Sequence, residues 1–140
     1  IFIGHAQTWW ANIGKEHENQ AVLYPKAKVE PGGLTDRYLS DYPNMFGDLS
    51  AGSGLNSLIR DEEHGREFLR RHQDKLLYGT DMGTNPKMYA MTLRILESND
   101  EHFYDDELRQ FHYPMNGFGL PDEVLKKLYN GNASKILNKK

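Results

Sequence analysis

Three short apolar runs punctuate the chain. Ile1-Phe2-Ile3 leads into Gly4, "NMFGDLS" occupies residues 44–50, and "KLLYG" occupies 75–79. Each is short and bounded by turn residues, which predicts buried strands rather than amphipathic helices. Helical spacing fills the intervals. In "LTDRYLSDY", 34–42, Leu34, Tyr38, Leu39 and Tyr42 recur at helical spacing, and Pro43 stops the pattern. The segment 54–73 places Leu55, Leu58 and Ile59 on one face and then Phe68 and Leu69, with Gly65 expected to weaken its middle. Residues 86–98 open on Pro86, which suits a first helical turn, and carry Met88, Met91, Leu93, Ile95 and Leu96. The tail, 120–137, begins with Pro121, Asp122 and Glu123. Gly131 reads as a left-handed stop and Asn132 as the cap of a last short helix. Asn132-Ala133-Ser134 also spells a glycosylation sequon, for which no secretory signal argues. Strand and helix alternate three times, the pattern of an α/β fold with a parallel sheet.

Two stretches exceed a minimal strand–helix unit. Residues 6–33 hold Trp9, Trp10, Pro25, Pro31 and Gly32-Gly33, and a connection of that length reads as a lid or binding loop. Residues 99–119 are acidic and aromatic, with a helix expected near 104–112 and a turn at Asn116-Gly117.

Composition narrows the function. The 140 residues are 38% hydrophobic and carry a formal charge of −3, so one cored domain is expected and a nucleic-acid partner is not. The chain has no cysteine, which removes disulfides, thiolate metal sites and cysteine nucleophiles. No run is long enough for a membrane helix, so no membrane partner is expected and the compartment reads as cytoplasmic. The chain opens on Ile1 in mid-pattern, and the expectation is a piece of a longer protein, any targeting segment lying upstream.

In a parallel α/β fold reactive side chains gather where strands end and the following loops begin. His5 follows the first run, Asp48 and Ser50 close the second, and Asp81 follows the third. Imidazole and carboxylate suit proton transfer and divalent-metal ligation. The structural alternatives are a hydrogen-bonded histidine and a helix-capping aspartate. Trp9 and Trp10 could stack on a planar substrate, or one of them could anchor the loop from beneath. Arg37 and Arg60 could meet a substrate carboxylate, or be ordinary surface arginines. "AGSGL" is not a nucleophile elbow, because Ala51 stands where the first glycine belongs. No phosphate loop and no dinucleotide fingerprint is present.

The segments "FIGHAQTWW", "YPNMFGDLSAGSGLNSL", "FLRRHQDKLLYGTDM" and "GLPDEVLKKLYNGNASKIL" resemble, in that order, the C-terminal part of the amidohydrolase superfamily. The branch they are most similar to is the amidohydrolase-related, metal-dependent hydrolases that include the aminocarboxymuconate-semialdehyde decarboxylase type. The resemblance implies that residues 1–140 are the C-terminal fragment of one (β/α)₈ TIM-barrel domain, about three βα units equivalent to strands 6–8, with C-terminal helices. It implies a metal-dependent hydrolase in which water on a divalent ion, zinc or else manganese, attacks a C–O or C–N bond of a small-molecule substrate. Asp81 matches the eighth-strand aspartate that ligates the metal and handles the proton of the attacking water. His5 matches the sixth-strand histidine that contacts water or substrate. Asp48 and Ser50 match no family-wide catalytic position and read as local structure or pocket wall. Homo-oligomerisation through barrel helices is common in such a family, although no seam for it shows here.

The chain departs from the pattern in lacking a His-x-His pair. Its histidines are His5, His17, His64, His72, His102 and His112, and His64 and His72 are expected to be exposed on their helix. The remaining metal ligands are therefore expected outside this chain, which alone should neither hold metal tightly nor turn over substrate. A decarboxylase on the same scaffold is one alternative. A non-catalytic α/β module that binds a ligand or partner is another.

Overall fold

The three apolar runs do meet as one sheet. The computed structural model describes residues 1–15, 22, 24–106 and 111–138. Strands β1 (Phe2–Gly4), β2 (Met45–Asp48) and β3 (Leu76–Leu77) are all parallel and lie in the order β1-β2-β3. Helices α1 (Ala6–Trp10), α2 (Leu34–Asp41), α3 (Ala51–Ile59), α4 (Glu62–Arg71) and α5 (Pro86–Glu97) alternate with the strands. Helices α6 (Asp122–Lys126) and α7 (Asn132–Leu137) follow, joined by a π-helical segment, Lys127–Gly131. The fold is α/β with a three-stranded open parallel sheet. Among the described residues no helix is long and apolar enough to cross a membrane.

Register explains how the sheet is covered. Gly4 pairs with Gly47, and Gly47 with Leu76, so the three share one face. Trp9 uses the room the glycines leave: a Cβ on Gly4 would lie 2.1 Å from its ring, an impossible approach for any side chain. Trp10 goes deeper. It is wholly enclosed, packs edge-on against Phe68, and donates its indole N–H to the Asp48 carbonyl at 2.8 Å. At about 25 cal/mol per Å², enclosing an indole of roughly 200 Å² contributes on the order of 5 kcal/mol before entropy is charged. Leu39, Leu58, Phe68, Leu69, Leu76 and Ile95 extend the same core.

Several expectations change. The segment 54–73 is two helices, broken at Arg60–Asp61, and the Asp61 carboxylate caps the second by accepting from the His64 N–H. Gly65 does not weaken a helix middle. It lets α4 cross α3, since a Cβ there would stand 2.3 Å from the Leu58 carbonyl oxygen. His64 and His72 are buried, not exposed. Gly131 is helical rather than left-handed, and Asn132 is no cap. Its amide is fully buried and donates to the carbonyls of Gln73 and Leu76, tying the C-terminal helices to the base of β3. Trp9 and Trp10 sit on a helix directly after β1, not on a long loop. Near the expected helix at 104–112, residues 107–110 lie outside the described residues, and Phe103 and Met115 form an isolated antiparallel bridge beside them.

β1 also departs from expectation, because it is not buried. Phe2 is 64% and Ile3 49% exposed, for β1 is an edge strand whose far side has no neighbour among the described residues. Leu34, Tyr38 and Tyr42 of the adjoining α2 segment are exposed as well. An apolar flank of this kind is an unpaired strand edge beside an uncovered helix face.

Candidate active site at the strand ends

Because the strands are parallel, their C-terminal ends fall on one rim of the sheet. His5 leaves β1 there, next to Asp48 at the end of β2. The ring Nδ1 of His5 is 3.2 Å from Asp48 Oδ2 and 3.2 Å from Ser50 Oγ. Ser50 donates its hydroxyl to Asp48 Oδ2 at 2.8 Å and its backbone N–H to Asp48 Oδ1 at 2.8 Å. Both carboxylate oxygens are thus engaged, and the carboxylate is fixed before it meets the imidazole. β3 completes the packing: a Cβ on Gly79 would lie 3.0 Å from Ser50 Cβ and 3.3 Å from Asp48 Oδ1. Glycine is present where the third strand passes closest to the cluster.

The backbone turns sharply at each exit. Ala6, directly after His5, has φ +60°; Ala51, directly after Ser50, has φ +65°; and Asp81, after β3, has φ +58°. A non-glycine residue in this region costs on the order of 1–2 kcal/mol. Strain of that kind persists where the surroundings over-determine it, and it gathers at functional sites. Three of the four described non-glycine residues with positive φ follow the three strands; the fourth, His102, lies elsewhere.

Asp81 is exposed, and among the described residues its carboxylate makes no hydrogen bond or ion pair. It lies four residues beyond the end of β3, and β2 stands between β3 and β1. The sequence pairs His5 with Asp81; in the structure the carboxylate beside His5 is that of Asp48, and Asp81 follows β3, one strand further along. Trp9 lines a 360 Å³ cleft together with His5, Gly4, Thr8, Asn12 and Tyr38, and stacks on Tyr38 at 6.3 Å. Trp10, enclosed and hydrogen-bonded, is a core residue and has no surface to offer a substrate. Arg60 is buried and donates to the Ala27 carbonyl at 2.8 Å, holding a loop rather than a ligand. Arg37 is exposed on α2.

The cluster has the ingredients of a serine triad without its wiring. In such a relay the acid holds one ring nitrogen and the hydroxyl meets the other. Here Asp48 and Ser50 converge on the same nitrogen, and the hydroxyl proton is directed to the carboxylate. A metal fares no better on these residues alone. Among the described residues no group of three or more His, Asp or Glu side chains is placed to hold an ion, whereas zinc takes about four ligands. The described residues therefore do not make a metal site by themselves.

The sequence places Asp48 and Ser50 at the rim and reads them as local structure or pocket wall, not as partners of His5. The signal was available: "GDLS" after an apolar run puts a carboxylate and a hydroxyl two residues apart at a strand end. Comparisons with family models, with curated proteins and with solved structures find no match.

Proposed function

We propose that this chain is the rim-bearing sector of a hydrolase of the amidohydrolase type, a portion of a closed (β/α)₈ barrel. One observation carries the reading. His5 is held by Asp48 and Ser50 at the ends of two adjacent parallel strands, with the free carboxylate of Asp81 on the next. In this reading His5 takes the proton of the water that attacks a C–O or C–N bond, and hands it to the leaving group. Trp9 forms one wall of the space a planar substrate would enter. Asp81 would offer a carboxylate to a metal, with further ligands coming from residues beyond those described. The exposed apolar edge of β1 supports the barrel portion, because a barrel closes such an edge with a neighbouring strand.

A second reading is favoured by the same edge: an α/β module that binds a partner along β1 and α2 and performs no chemistry. The deciding experiment uses the longest natural polypeptide that carries this sequence, assayed on small lactones, amides and aromatic acids. Hydrolysis that falls at least about 100-fold in His5→Ala, the usual contribution of a proton-transfer group, supports the leading reading. Unchanged hydrolysis in that variant sinks it. Release of carbon dioxide would transfer the site to a decarboxylase, and no turnover on any substrate would favour the binding module.

A further inference from the structure

The contacts of His5 restrict where its proton can be. Three groups meet at one place: the His5 Nδ1, the Ser50 hydroxyl and the Asp48 carboxylate. If the hydroxyl hydrogen pointed at Nδ1, the Ser50 and Asp48 oxygens would stand 2.8 Å apart with no proton between them. Asp48 Oδ2 would also face a bare nitrogen at 3.2 Å. Three acceptors would then share one hydrogen. With the hydroxyl hydrogen on Asp48, as the 2.8 Å contact directs, Ser50 turns only lone pairs towards the ring. Hydrogen bonds to an ionised carboxylate are the stronger kind, which favours this arrangement. Both atoms facing Nδ1 are then acceptors, and Nδ1 must supply the hydrogen.

We propose that Asp48 and Ser50 are positioning residues that fix neutral His5 as the Nδ1–H tautomer, leaving Nε2 as a bare lone pair at the rim. Nε2 is then the working atom of the site, able to accept a proton or ligate a cation but unable to donate until it has first accepted. The half-exposed ring, 44% accessible against 28% for Asp48, keeps that atom within reach of solvent. The division of labour is specific. Asp48 orients the ring; Ser50 occupies its own proton on Asp48 and so prevents itself from donating to the ring. The backbone carbonyl of Asp48 separately holds Trp10, so a side-chain substitution leaves that core bond intact.

The inference rests on His5 being the proton-transferring group, and its test is independent of turnover. Long-range proton–nitrogen correlation spectra of the 15N-labelled 140-residue chain are recorded at about pH 8, where an ordinary histidine is neutral. His5 is assigned by the signals missing from His5→Gln. Wild type should show a protonated Nδ1 and an unprotonated Nε2. Ser50→Ala should keep that form, since Asp48 remains as acceptor. Asp48→Ala should reverse it, because the released Ser50 hydroxyl then donates to Nδ1. An Nε2–H form in wild type, or an Asp48→Ala variant that is folded yet unchanged, overturns the proposal. Should Asp48→Ala fail to fold by circular dichroism, the wild-type and Ser50→Ala spectra decide it. A locked tautomer in a polypeptide that hydrolyses nothing would sink the hydrolase reading and leave this one standing.

Discussion

Among the described residues two histidine–aspartate pairs form, and they do opposite things. His72 Nε2 lies 2.6 Å from Asp36 Oδ1, with side chains 4% and 10% accessible, and Arg71 adds a second bond to Asp36 at 3.2 Å. This pair sits where α4 hands over to β3, before the strand begins. His5 and Asp48 meet at 3.2 Å, half-open, after their strands have ended. The first pair seals the joint between α2 and α4. The second leaves a ring nitrogen uncommitted. The same two residue types serve as a fastener on the entry side of the sheet and as candidate chemistry on its exit side, in keeping with the rule that parallel sheets keep function where strands end.

Substitution should separate the pairs most widely. Asp36→Ala leaves a buried imidazole without its acceptor and is expected to cost about 2 kcal/mol in urea unfolding. Asp48→Ala, at the open pair, should cost less than about 1 kcal/mol. Equal losses would mean that both pairs are structural.

Acid should weaken the buried side next. Burial holds His64 and His72 below the usual histidine range; Asp61 opposes this for His64, and the Asp36 hydrogen bond for His72. Both ring nitrogens of His64 are buried without a hydrogen-bond partner among the described residues. A histidine held neutral in the fold is protonated first in the unfolded chain, so stability falls as pH drops below about 6.5. The slope reaches about 1.4 kcal/mol per pH unit for each such group and flattens below the folded pKa. Urea midpoints between about pH 7.5 and 5 would measure it. Replacing His64 with Phe should make the dependence shallower, and an unchanged slope would remove His64 from the account.

The smallest effect concerns the strained rim. Ala6→Gly and Ala51→Gly relieve left-handed backbone but enlarge the freedom of the unfolded chain, for a net gain of about 0.5–1 kcal/mol each. A higher melting temperature in both would show that stability has been given up at the strand exits. A fall in either would mean that the turns are comfortable as they are.

Strand order, helix alternation and the rim position of His5 were legible because they rest on local periodicity and on punctuation by Gly and Pro. The burial of His72 was not, since its polar sequence neighbourhood hides the fact that Asp36 arrives from another helix to satisfy it. Trp9 and Trp10 are adjacent and identical in type, and only the glycine row at positions 4 and 47 decides which ring lies on the sheet and which goes beneath it. By its pattern β1 reads as buried, because an apolar strand looks the same whether or not a neighbour covers it; unpaired strand edges are expected only from the resemblance to a portion of a barrel. Asp48 and Ser50 gained meaning only when the parallel register brought His5 alongside.

Asn132 carries a consequence for timing. The base of β3 is secured by a side chain 56 residues further along, so the sheet closes through one of the longest loops in the molecule. Contacts so distant in sequence are slow to form, and during synthesis the early elements emerge first. The third strand therefore waits, unlatched, until Asn132, 56 residues further on, has been made.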